Sequence, residues 1–340
     1  VFLGLALPSL RGDLPQAAED LLATGKYEEA LELAQEESQR DPDKVGWLLA
    51  KAESEMRLGL LEDAAESGSF ALSMRPNSAE IRLFLYRLVS KVQPPYSAQR
   101  LLHPLVRNRD EAVPPAERAA LGESLLALGG DPKTFLEDYL QPAVEESPEL
   151  LQPYLAIGHL ALDKQDYELA AETFRKGLKQ HPDHPDLLFG LGAAVASSSP
   201  DQAGLLIERA LERNPRHRDS LLARRQLDQR DFPAAVQTLE RLTATNPVDA
   251  EAWALRSVIA EMQNGSDEAA AHRARALELW PQNPLVDSVI GTELVRNYRF
   301  DEGIDHLQRA VELEATFLPA RLQLGTALLR QGRDEEGWPH

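Results

Sequence analysis

Eight histidines are the first residues to weigh: His103, His159, His181, His184, His217, His272, His306 and His340. A zinc hydrolase sets two of them on one helical face around a Glu, in the order H-E-x-x-H, so that the ligands converge on one ion. No two histidines here bracket a Glu at that spacing. His181 and His184 stand together in "QHPDHPD", where they read as metal ligands or, more simply, as a solvated loop between helices. "GLGAAVASSSP" holds Gly190 and Gly192 but lacks the following Lys of a phosphate-cradling loop, so close helix packing is the better reading. Ser124 in "GES" lacks the flanks of a nucleophile elbow. Glu36–Glu37 and Glu145–Glu146 are paired carboxylates of the kind that line solvated helix faces. With no cysteine there is no thiol nucleophile, disulfide or thiolate metal site. No catalytic, cofactor-binding or metal-binding residue is assigned.

One charge cluster remains. "ERALERNPRHRDSLLARRQLDQR" gathers Arg209, Arg213, Arg216, Arg218, Arg224, Arg225 and Arg230 in a chain whose formal net charge is -19. Forked guanidinium groups bind carboxylates in pairs, so the stretch reads either as a contact for an acidic peptide or as pairing with acidic faces of neighbouring elements. No aromatic residue interleaves these arginines as a stacking platform, and the acidic total repels polynucleotides and anionic membranes. Nucleic acid is therefore not expected as a partner. No apolar run reaches the ~20 residues that cross a bilayer.

The elements that must carry these residues repeat. Prolines that close a helical stretch fall at Pro42, Pro76, Pro148, Pro182, Pro215, Pro247 and Pro281, at intervals of 34, 72, 34, 33, 32 and 34. The long interval holds two degenerate units. Within a unit, small and large residues recur in order: Tyr154, Gly158, Ala170, Phe174, Gly177 and Pro182 in one, and Trp253, Ser257, Ala269, Ala276 and Pro281 in another. A third has Gly291, Gly303, Leu307 and Ala310, with Ala315 in place of the proline. Apolar steps of three and four give one stripe on each of two helices, small residues let the backbones approach, and Gly25, Gly59 and Gly332 stand where the chain reverses.

A helical hairpin at this period resembles the tetratricopeptide repeat, over roughly residues 16–340. The resemblance implies an all-α fold, a right-handed α-solenoid of about nine and a half stacked helix pairs. Its expected divisions are an apolar segment at 1–15, two units at 16–76, two degenerate pairs at 77–148, and units five to ten at 149–340 with the last cut short. The opening "VFLGLALPSL" reads as the end of a signal segment or as a packed helix, so a cytoplasmic and an exported location both stay open. The cut last unit predicts that the gene product continues beyond His340 and that the chain associates end to end.

Members of this family often hold extended peptides in a groove lined by first helices. The matching positions here carry Leu155, His159, Ser220, Arg224, Ala254, Val258, Ser288 and Thr292, without the Lys and Asn set of the carboxylate-clamping subclass. The expected function is a non-catalytic scaffold that binds a protein or peptide, acidic in character, through His159, Arg224, Arg225 and Arg218. A second resemblance points elsewhere. "RDF" before an Ala-rich helix, followed later by "NYRFDEG", is similar to the repeat region that precedes a peptidase MA-like (gluzincin) zinc metallopeptidase domain in some bacterial proteins. It implies a region that positions a substrate or partner for a catalytic domain lying beyond this sequence.

Overall fold

The computed structural model describes residues 14–107, 113–217 and 221–340. The opening apolar segment and Arg218 and Ser220 lie outside the described residues. The chain divides into two compact units, whose described parts are residues 14–107 with 113–217, and residues 221–340. Every regular element among the described residues is helical.

The first unit begins with the pairs α1 (Gln16–Ala23) with α2 (Tyr27–Arg40) and α3 (Val45–Arg57) with α4 (Leu61–Met74). Next come α5 (Ala79–Val89), the single turn α6 (Pro95–Ala98) and two 3-10 turns, Gln99–Leu101 and His103–Arg107. Then follow α7 (Pro115–Ala127), α8 (Pro132–Thr134), a π-helical stretch (Phe135–Leu140) and α9 (Gln141–Glu146). It ends with α10 (Leu151–Asp163), α11 (Tyr167–Gln180), α12 (Pro185–Val195) and α13 (Pro200–Arg213). The second unit holds α14 (Leu221–Asp228), α15 (Phe232–Thr245), α16 (Ala250–Met262), α17 (Ser266–Ala276), α18 (Pro284–Arg296), α19 (Phe300–Leu313), α20 (Leu318–Arg330) and α21 (Asp334–Gly337). In each unit helix pairs stack as a solenoid, and the expected all-α repeat architecture is what is found.

Local chemistry sets the boundaries. Asp166, Asp231, Asp249 and Asn283 accept the amide of the residue two or three positions on and so start α11, α15, α16 and α18. Most reversals between paired helices use a left-handed residue, supplied by Gly25, Gly59, Gly129 and Gln165 in the first unit and by Arg230, Asn264, Tyr298 and Gly332 in the second. In the second unit they recur every 34 residues. Tyr298 is the costly member, with φ +66° and 81% exposure. A left-handed backbone costs an L-residue about 1–2 kcal/mol, which exceeds the entropy glycine would lose. Tyr298→Gly is therefore expected to raise stability by about 1 kcal/mol, read as an increased urea midpoint at unchanged slope.

The irregular stretch between α4 and α10 has identifiable causes. Pro94 and Pro95 remove two adjacent amide donors, so no long second helix follows α5. Pro142 cannot donate, and its ring would press on the carbonyl four residues back; the chain widens into the π-helical stretch just before it.

Packing follows the small-residue pattern. Phe174 is fully buried, with Gly158 of α10 and Gly190 of α12 both packed against the tip of its ring. A Cβ at either glycine would overlap the ring. The second helix of one pair is thereby locked to its own partner and to the next pair at once. Among the described residues no helix is long and apolar enough to cross a membrane.

Candidate partner-binding face

In the second unit, consecutive first helices α14, α16 and α18 lie side by side, and residues two pairs apart meet across the middle one. Arg224 of α14 pairs with Glu251 of α16 at 2.9 Å and with Glu293 of α18, 69 residues away. Asp228, one turn on, meets Arg296 of α18 at 2.6 Å. Such pairs form only where first helices converge, so these side chains mark the inner face. Thr292 and Met262 lie on the same face by the 34-residue register, from Arg224 through Val258 and from Asp228 through Met262.

Burial divides the ladder. The Arg224 side chain is 13% exposed and the Glu293 side chain is fully buried, whereas Arg296 and Asp228 are 45% and 44% exposed. Burial alone would lower the Arg224 pKa; Glu293 and Glu251 outweigh it and raise it. At Asp228 burial dominates over the pull of Arg296, and its carboxyl is raised. Arg224 is thus committed internally, while the Asp228–Arg296 pair forms the accessible end.

The other expected contacts are placed as follows. His159 is buried on α10, edge-on to Phe174 with ring centroids 5.8 Å apart. Arg225 is half-buried on α14. Arg209 pairs with Asp183, and Arg216 pairs with Glu28. The arginine cluster is in this part a set of ties to acidic faces of other elements, one of the two readings its composition left open. Arg296 and Glu293 were not singled out from the sequence, although Arg296 stands two periods beyond Asp228.

A second polar cluster lies behind the face. His306 of α19 bridges Asp287 of α18 at 2.6 Å and Glu261 of α16 at 3.1 Å, and Arg273 of α17 holds Asp287 at 2.6 and 2.9 Å. Burial opposes the charged form of His306, but its hydrogen bonds to Asp287 and Glu261 outweigh that and raise its pKa. Burial likewise opposes the Asp287 carboxylate, yet His306 and Arg273 hold it at about 2. The signs follow. A raised His contributes stability in full below its unfolded value near 6.5, and that contribution is lost as pH rises through the folded value. A depressed Asp contributes above about 3.9 and loses it as pH falls towards 2. The urea midpoint of the wild-type protein should fall as pH rises above about 6.5, and His306→Gln should flatten that limb.

Among the described residues no group of three or more His, Asp or Glu side chains is arranged to hold a metal ion, His181 and His184 included. A cavity of about 310 Å³ lies at the start of α5, lined by Asn77, Ala79, Leu105 and Leu121. The anion position there is filled by the chain itself, because Glu117 accepts from Ser78 Oγ and Ala79 N, both at 2.6 Å.

Comparison with known proteins adds a family. A family model described as the tetratricopeptide repeat matches residues 16–79, 155–217 and 221–284, more than half of the chain. Among curated proteins, the peroxisomal targeting signal receptor of Candida albicans is 20% identical over 213 residues, which are 59% of this chain and 36% of that receptor. The chain thus spans little more than a third of the length of that relative. Among solved structures, the APC/C hetero-tetramer Cut9–Hcn1 superposes with a TM-score of 0.55 at 14% identity, covering 84% of this chain and 56% of that one. Yeast Tom70 gives a TM-score of 0.46 at 18% identity, over 95% and 82% of the two chains. The likeness to Cut9–Hcn1 is one of fold.

Proposed function

This chain belongs to the tetratricopeptide repeat family, and from that premise we propose that it is a non-catalytic scaffold holding a protein or peptide partner on the inner face of its second unit. The observation that carries the reading is the graded ladder, buried and self-neutralised at Arg224 but open at Asp228–Arg296. A carboxylate on an incoming segment can replace Asp228 on the exposed Arg296 fork at little cost, since an exposed pair is worth only about 0–1 kcal/mol. The half-buried Thr292 and Met262, on the same face by register, offer apolar contact. The partner is thus an extended segment with an acidic side chain flanked by apolar ones, and Arg224 supports the face from within.

A photo-crosslinking residue at Thr292 tests this against one at Glu240, which is exposed on the second helix α15. Adducts from Thr292, mapping to one acidic segment and lost in Arg296→Glu, support the proposal. Adducts from Glu240 alone, or no dependence on Arg296, contradict it. The metallopeptidase-like texture has a structural account, because "RDF" and "NYRFDEG" are the left-handed reversals at Arg230 and Tyr298 with the starts of α15 and α19. On that second reading the same face would position a substrate for a separate catalytic domain.

A further inference from the structure

The first unit returns to its own beginning. The turn Gly25–Glu28, between α1 and α2, meets the loop Asn214–Arg216 that leaves α13. Asn214 Nδ2 donates to Tyr27 Oη at 3.2 Å, and Tyr27 Oη donates to the Arg216 carbonyl at 3.4 Å. The Arg216 guanidinium lies 5.0 Å from the centre of the Tyr27 ring and forks onto Glu28, with Nη2 to Oε1 at 2.9 Å. Arg216 Nη1 also reaches the Gly25 carbonyl at 3.4 Å. Only a glycine fits at position 25, since a Cβ there would overlap the Asn214 amide.

This closure has a consequence for the inner face of the first unit. Nearly every residue of α10 and α12 is buried, and α3 buries Glu53 and Arg57 as well as its apolar residues. First helices of an open array keep one face to solvent. Arg57 illustrates the enclosure. Burial alone would lower its pKa, yet the carboxylates of Glu53 on α3 and Asp186 on α12 help to raise it, so charges on two separate first helices act on one another.

The seam is narrower than the junctions between consecutive pairs, although it buries Tyr27 and Asn214. Consecutive pairs share long helix faces, as α2 does with α3 and α11 with α12. The seam rests on a turn and a loop, and its ion pair is exposed, with Glu28 at 64% and Arg216 at 28%. Such a pair contributes about 0–1 kcal/mol and weakens with salt. We propose that the seam between Gly25–Glu28 and Asn214–Arg216 is a gate, which parts while the helix pairs stay folded and so opens the inner face of α3, α10 and α12. That a partner segment then enters rests on the scaffold reading; the opening itself does not.

The chain has no cysteine, so two spin labels can be placed without background. Glu32→Cys on α2 and Glu212→Cys on α13, both exposed and outside the seam, report its width in the full chain by pulsed dipolar spectroscopy. One short-distance population is expected at low salt. Arg216→Glu, which sets two carboxylates against each other, should raise the open-to-closed ratio about tenfold and add a longer distance at unchanged far-ultraviolet helicity. Glu28→Arg should do the same, and Glu28→Arg with Arg216→Glu should restore the short distance. An unchanged distribution in both single variants overturns the proposal. So does a longer distance that the double exchange fails to reverse, or one that comes with loss of helix. Partner crosslinking at Thr292 is read separately, so failure of the gate and failure of the scaffold reading are distinguishable.

Discussion

Phe174→Ala is expected to lower the stability of the first unit by about 3–5 kcal/mol, the range for emptying a fully buried aromatic site. The ring is the shared knob of two joints, seated on Gly158 of its own pair and on Gly190 of the next. Neither glycine has a side chain that can move into the space, so the cavity persists. Coupling gives a sharper form of the test. Gly190→Ala alone should cost about 1–3 kcal/mol, because its Cβ overlaps the ring. In the Phe174→Ala background the same change should be neutral or stabilising, since the ring is gone and alanine is the better helix former by about 0.5–1 kcal/mol. Urea unfolding followed by far-ultraviolet dichroism reads all four proteins; additivity would contradict the joint.

Arg224→Met is the second large effect, expected at about 3–5 kcal/mol, localised to the second unit. The loss arises less from the missing attraction than from what is left behind: Glu293 is fully buried and would keep only the Arg296 contacts at 3.3 and 3.4 Å. Adding Glu293→Gln should recover more than half of the loss, because the uncompensated charge is then gone. If the second change deepens the loss instead, the pair is not the closed internal unit described above. The result bears on function too, because weakened binding in an Arg224 variant would reflect a damaged support as much as a missing contact.

Much of the architecture was legible because it is periodic. Gly158, Phe174 and Gly177 announced close crossings, and Gly25, Gly59 and Gly332 announced reversals. Gln165, Arg230, Asn264 and Tyr298 take the same left-handed conformation without being glycine, so composition alone could not reveal them. Pro94, Pro95 and Pro142 stand in the irregular stretch between α4 and α10, but a π-helical stretch is a response to packing that no local pattern spells out.

The inner face was legible only in part. Register put Arg224 and Thr292 in one line, but the ties that decide which charge is free run over 69 and 68 residues, from Arg224 to Glu293 and from Asp228 to Arg296. Three-dimensional convergence of first helices creates them, and sequence neighbours carry no trace of it. The seam is more hidden still: Gly25 reads as an ordinary turn glycine, and the Asn214 amide it accommodates is far along the chain.

The most direct test of the scaffold account is the affinity of the full chain for the acidic segment crosslinked from Thr292, measured by titration calorimetry with wild type, Arg296→Glu and Arg225→Glu. Arg296→Glu should weaken binding at least about tenfold, a loss near 1.4 kcal/mol, with a smaller effect from Arg225→Glu and unchanged far-ultraviolet spectra throughout. Equal affinity in wild type and Arg296→Glu would contradict it.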